Sequence, residues 1–137
     1  MDIVLMTNTD NPSFEFRNGE RFGDDSGFRV DLWVRSSGLS FELPFYFEKY
    51  SLEQFIIGIT EMNQTLKGNA VLKPLYEPNI VEFEMNNVGG LWVRGEMTEY
   101  TSKLQKVNFE FKTDQSCLAP FLKDLSSFME STTLALN

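Results

Sequence analysis

The sequence predicts an α+β fold that is mainly antiparallel β, a sandwich or strongly curved sheet of about seven to eight strands with two amphipathic helices. Three observations lead there. Apolar and polar residues alternate with period two along most of the chain. The runs that alternate are joined by connections too short to hold a crossover helix, so the pairing is antiparallel. Only two segments carry the helical period. A length of 137 residues and a 42% apolar composition, with thirteen Phe, suit one domain with a substantial core over residues 1–137.

The N-terminal runs Asp2 to Thr7 and Ser13 to Arg17 predict two weaker strands, and the glycine- and charge-rich stretch Asn18 to Gly27 predicts a mobile loop. Phe28, Val30, Leu32 and Val34 alternate with Arg29, Asp31, Trp33 and Arg35. Leu39, Phe41, Leu43 and Phe45 alternate with Ser40, Glu42, Pro44 and Tyr46. Each run reads as a half-buried strand, and Ser36-Ser37-Gly38 between them is short enough for a hairpin turn.

From Ser51 to Lys67 the period changes. Leu52, Phe55, Ile59, Met62 and Leu66 recur at three- and four-residue steps, with Ile56 widening the stripe, which predicts a helix packed by one face. Ser51 with Gln54 suits a capping box, and Gly68 suits a left-handed stop. Four further strands are predicted at Ala70 to Tyr76, Ile80 to Asn86, Leu91 to Tyr100 and Lys103 to Lys112. Their separators, Glu77-Pro78-Asn79, Asn87-Val88-Gly89-Gly90 and Thr101-Ser102, are turn chemistry. A second helix spans Cys117 to Glu130, starting either at a Ser116 cap or at Pro120, and Ser131 to Asn137 reads as a frayed tail.

Twenty Asp and Glu against twelve Lys and Arg give a net charge of −8. That field repels phosphate backbones and anionic lipid, so nucleic acid and membrane are disfavoured as partners. It would steer a basic protein inward, and it also keeps the chain soluble. The one cysteine, Cys117, cannot form an internal disulfide. No apolar run approaches the roughly 20 residues that cross a bilayer, and Met1 to Met6 lack a basic n-region, so the cytoplasm is the expected location. A monomer and a homodimer are both compatible with these features.

The chain contains no histidine, which excludes Ser-His-Asp and Cys-His catalysis and every histidine-containing metal site. One cysteine excludes a thiolate-rich site within the chain. Cys117, without a base beside it, reads as a small core residue although a helix start could activate it. Gly89-Gly90 lacks the lysine and helix of a phosphate-binding loop. Asp24-Asp25, with Glu20 and Asp31 nearby, does not match the spacing of a calcium loop. No cofactor and no metal are therefore expected. Glu82 and Glu84 share one face of a strand with Glu96 on the next, which fits a solvated face better than an acid–base pair. Trp33 lies in phase with Arg29, Asp31 and Arg35, and Trp92 with Arg94 and Glu96. Large rings among charges serve as interface anchors unless helices cover that face, and the need to pack two helices favours their being covered.

In the C-terminal half, Leu66-Lys67-Gly68-Asn69-Ala70-Val71-Leu72, Gly90-Leu91-Trp92-Val93-Arg94-Gly95 and Phe109-Glu110-Phe111-Lys112-Thr113-Asp114-Gln115-Ser116-Cys117-Leu118 stand in succession. In this the chain resembles small bacterial proteins of the WapI-type immunity group, over roughly Phe28 to Met129. Each motif also has a structural reading: a helix stop at Gly68, a hairpin at Gly90, a strand bulge at Gly95 and a cap at Asp114. The resemblance implies a cytoplasmic protein that neutralises a toxin from a neighbouring cell, commonly a nuclease, and it carries over no catalytic residue.

The reading that follows is a noncatalytic protein-binding domain, with a basic toxin domain as the partner under the resemblance. The residues expected to bind it are Trp33, Glu82, Glu84, Trp92, Arg94 and Glu96. Two other readings stand beside it. One is a small-ligand or carboxylate-dependent hydrolase domain with these glutamates converging in a deep pocket. The other is a structural subunit that pairs through an exposed β edge.

Overall fold

The computed structural model describes residues 2–7, 11–24, 26–86, 88–99 and 105–131. The elements run β1 (Ile3–Leu5), β2 (Ser13–Arg21), β3 (Gly27–Ser36), β4 (Leu39–Glu48), α1 (Lys49–Thr65), β5 (Gly68–Leu72), β6 (Ile80–Met85), β7 (Gly90–Glu99) and β8 (Gln105–Asp114). A 3-10 turn at Gln115–Cys117 then leads into α2 (Leu118–Ser131). The strands form two four-stranded sheets in the orders β1-β2-β3-β4 and β5-β6-β7-β8, with every pair antiparallel. The predicted class, α+β with mainly antiparallel β and two helices, is the one the chain adopts.

Alternation decides which side of each sheet is dry. Phe14 and Phe16 of β2, Val30, Leu32 and Val34 of β3, and Phe45 and Phe47 of β4 point inward and are buried. So do Val81 and Phe83 of β6, Leu91 and Val93 of β7, and Phe109 and Phe111 of β8. Both helices add to the same core, α1 through Leu52, Phe55, Ile59 and Met62, and α2 through Leu118, Phe121, Leu125 and Phe128. Phe121 stands where these parts meet. Its ring centroid lies 6.1 Å from Phe14, 5.9 Å from Phe16 and 5.5 Å from Phe83, and Phe83 in turn lies 5.3 Å from Phe55 of α1. Tilted and edge-on rings at these separations add to the hydrophobic gain of burial.

Several local details differ from expectation. Asn18 to Arg21 continue β2 beyond a bulge between Arg17 and Glu20, so the loop is shorter than the sequence suggests. Asn18 adopts φ 54°, a conformation asparagine tolerates. Its backbone N–H donates to Asp2 Oδ1 at 3.0 Å. Gly19 follows because a Cβ there would meet Cε1 of the Phe128 ring at 2.6 Å. Gly95 marks no bulge, since β7 keeps register with both neighbours. It leaves room for Phe109, whose ring would stand 2.6 Å from an added Cβ.

The helix ends differ too. α1 begins at Lys49, and the Ser51 hydroxyl donates to the Lys73 carbonyl oxygen at 3.0 Å instead of capping the helix. The left-handed stop is Leu66 at φ 59°, whose N–H donates to Met62 O at 2.8 Å. Ahead of α2, Asp114 caps the 3-10 turn by accepting from the Ser116 N–H at 2.7 Å, which places Pro120 in the first turn of the helix. The strand β5 ends at Leu72, four residues short of Tyr76. The predicted Thr101-Ser102 turn and residues 132–137 of the predicted tail lie outside the described residues.

Two outcomes follow for stability, both read by urea unfolding. Phe121→Ala should cost about 3–5 kcal/mol, because it opens a cavity between both sheets and α1. Gly95→Ala should cost about 1–3 kcal/mol through crowding against Phe109 and the Ile80 carbonyl.

Candidate functional site

Because the helices pack on the inward faces, the outward faces of both sheets are left without a covering layer of helix. Trp33 and Trp92 are each half-buried, shielded by charged neighbours and not by helix. They lie on different sheets. Each ring stands on the face of its sheet that is turned away from the shared core.

On the β1–β4 sheet, Glu15, Trp33 and Glu42 are cross-strand partners in one row. The Arg17 guanidinium lies over Trp33 at 4.3 Å from the ring centre, and Arg35 approaches it at 5.3 Å. Arg17 is also paired with Glu15 at 3.0 Å and Glu42 at 3.2 Å, and the hydrogen bond to Glu15 leads in raising its pKa. The cation over Trp33, Arg17, is thus itself countered by two carboxylates.

On the β5–β8 sheet, register builds a lattice. Glu82, Arg94 and Glu110 form one cross-strand row, with Glu84, Trp92 and Lys112 on one side and Ile80, Glu96 and Asn108 on the other. Arg94 binds three carboxylates at once, Glu110 through Nε at 3.0 Å, and Glu84 and Glu82 through Nη1 at 3.0 Å and 3.2 Å. These bonds, Glu110's foremost, hold its pKa well above the usual guanidinium value against the opposing effect of burial. One cation against three anions leaves the cluster around Arg94 with excess negative charge. Asn69 Nδ2 donates to Glu82 Oε2 at 3.1 Å, which fixes that carboxylate further, and Lys106 reaches Glu96 at 3.7 Å. Lys112 lies 5.8 Å from the Trp92 ring centre.

Around the Arg94 row the surface sinks into an open depression of about 460 Å³, bordered by Ile80, Glu82, Glu96, Asn108 and Glu110. Of the predicted glutamates, Glu82 and Glu96 line it and Glu84 does not. Glu82, Glu84, Trp92, Arg94 and Glu96 of the expected set share this face, and Trp33 does not. Sequence reading missed Glu110. The alternation of β8 gives its outward phase, but only register shows that it meets Arg94.

Among the described residues, no group of three or more Cys, Asp and Glu is arranged to hold a metal ion. Asp24 instead accepts from the N–H and hydroxyl of Ser26, and these bonds lower its pKa. Asp25 lies outside the described residues. Cys117 is buried, with its Sγ donating to the Asp114 carbonyl at 2.7 Å, and burial raises its pKa. It is a core residue. No helix of the described residues is long and apolar enough to cross a membrane.

These features define a small α+β protein of two facing antiparallel sheets whose outward faces are lattices of charge around single tryptophans. The chain belongs to the Immunity protein WapI-like family, whose model matches residues 5–132. This bears out the resemblance read from the sequence and extends it ahead of Phe28 to take in β2. Membership places the chain among immunity proteins and implies a protein partner. No curated protein and no solved structure matches the chain.

Two measurements check this description. Arg94→Ala should destabilise the fold by about 1 kcal/mol at low ionic strength, and by less in high salt, since exposed ion pairs are screened. Cys117 should react slowly with a thiol reagent in the native state and quickly after unfolding. Because its native pKa is raised, the folded state keeps the proton longer than the unfolded one. Stability from this thiol is therefore complete below about pH 8.5 and falls as pH rises beyond it.

Proposed function

We propose that this protein is a noncatalytic immunity protein that neutralises a basic toxin domain in the cytoplasm, and that the outward face of the β5–β8 sheet makes the contact. The observation that carries this reading is the Arg94 row: three carboxylates on one guanidinium, fixed in place beside a half-buried tryptophan, on a sheet face that no helix covers. Trp92 would supply the aromatic anchor. Glu82, Glu84, Glu96 and Glu110 would supply the field that draws in Lys and Arg, with Arg94 holding three of them in register. The free, buried Cys117 suits a reducing compartment.

The depression over this row is where a hydrolase reading would place its carboxylates. An acid–base pair needs one carboxyl kept protonated by apolar surroundings. Glu82 and Glu110 instead accept hydrogen bonds from Arg94 in an open surface, an arrangement that favours electrostatic recognition over proton transfer.

The test is affinity capture with the tagged full chain from its native cells at low and moderate salt, followed by mass spectrometry and a measured affinity for the retained protein. A basic partner is expected, released by added salt and weakened by about 2 kcal/mol in Trp92→Ala. Trp33→Ala, on the opposite sheet, should leave its affinity unchanged. Melting curves check that both variants fold. Retention that neither salt nor Trp92→Ala alters would sink the proposal for this face.

A further inference from the structure

Away from both sheet faces, a second concavity of about 180 Å³ lies where the β2–β3 loop, the end of β4 and the β5–β6 connection meet. Its walls carry Phe22, Tyr46, Tyr76, Pro74, Glu48 and Glu77. Phe22 and Tyr46 stack at 6.1 Å with an interplanar angle of 23°. Tyr76 is 90% exposed and its neighbour Leu75 63%, so two large apolar side chains stand in solvent at the rim. The walls are tied together. Both oxygens of the Glu48 carboxylate accept from the Leu75 N–H, at 2.8 Å and 3.2 Å, which pins the β5–β6 connection against the end of β4.

Among the described residues, the charged residues that line the cleft are Glu48 and Glu77, both acidic. Arg29, whose guanidinium lies 5.9 Å from the Tyr46 ring centre and hydrogen-bonds to Tyr46, is not a lining residue and is also paired with Asp31 at 3.0 Å. Open aromatic faces with carboxylates beside them attract a flat cation, which stacks on the ring and donates to the acids. The volume is well below the roughly 300 Å³ at which small-molecule pockets begin, so a single side chain fits better than a cofactor. Another copy of this chain, with the same net charge of −8, is disfavoured as occupant.

We propose that this cleft is a docking site for an arginine side chain on a basic protein partner. Tyr76 and the Phe22–Tyr46 stack receive the guanidinium plane, and Glu48 and Glu77 accept its N–H donors. The cleft is separate from the β5–β8 face and involves none of its residues, so its test does not depend on that face binding anything.

The probe is Nα-acetyl-L-arginine amide, titrated into the isotope-labelled full chain at low salt and followed by backbone NMR, with the neutral isostere Nα-acetyl-L-citrulline amide as the comparison. Saturable shifts are expected at the amides of Ser26, Gly27, Phe47 and Glu77. Tyr76→Ala should weaken the binding about fivefold, as expected for one lost cation–π contact. Tyr76 is so exposed that its removal leaves the core intact. Glu61→Gln, an exposed charge towards the other end of α1, should change nothing. Three results would each overturn the assignment: citrulline binding as tightly as arginine, Tyr76→Ala binding unchanged, or an absence of saturable shifts at the cleft.

Discussion

Phe121 sits between the two sheets, and the arrangement of everything else follows from what surrounds it. It reaches Phe14 and Phe16 of one sheet and Phe83 of the other, and through Phe83 it is linked to Phe55 of α1. Neither sheet has a second dry face, and neither helix has a second apolar stripe. One cluster of rings therefore commits each element to a single orientation. Phe109, in contact with both Phe14 and Phe41, joins the sheets again at another point. Interiors packed at crystal-like density leave little freedom for an element to turn over.

That commitment determines the surface. Once Phe83, Val93, Phe109 and Phe111 face inward, their neighbours along each strand must face water. Glu82, Arg94 and Glu110 then fall in one row because antiparallel register places them opposite one another. The proposed binding face is thus a by-product of the core's periodicity, and its precision comes from the rigidity beneath it. Gly95 contributes from below: without a side chain of its own, it lets the Phe109 ring close the core under the row.

The ion pairs on this face do little for folding. Exposed pairs contribute on the order of 0–1 kcal/mol each, while burial of a phenylalanine contributes about 1.5–3 kcal/mol. Three carboxylates gathered on one guanidinium are an inefficient way to stabilise a sheet. They are well suited to presenting fixed negative charge to an incoming cation, since the side chains are already ordered and lose less entropy on binding. The same logic applies at the cleft beside Tyr76, where Glu48 holds two walls together before anything binds.

Alternation and helical period were enough to identify both sheets' strands and both helices, because those patterns record which side of each element must be dry. The acidic balance and the lack of histidine narrowed the chemistry in the same direct way. Caps and bulges were harder to read. Ser51 had the right identity for a cap, yet its hydroxyl found a better partner in Lys73, which is distant in sequence. The bulge at Asn18 and Gly19 exists to admit Phe128 from the far end of the chain. Among the candidate site residues, alternation set the outward phase of each, and tertiary structure alone decided which ones meet. Register set Glu110 against Arg94, and the division of the strands into two sheets put Trp33 and Trp92 on different ones. Phase is a property of one strand, whereas register and layering depend on contacts between residues far apart in the chain.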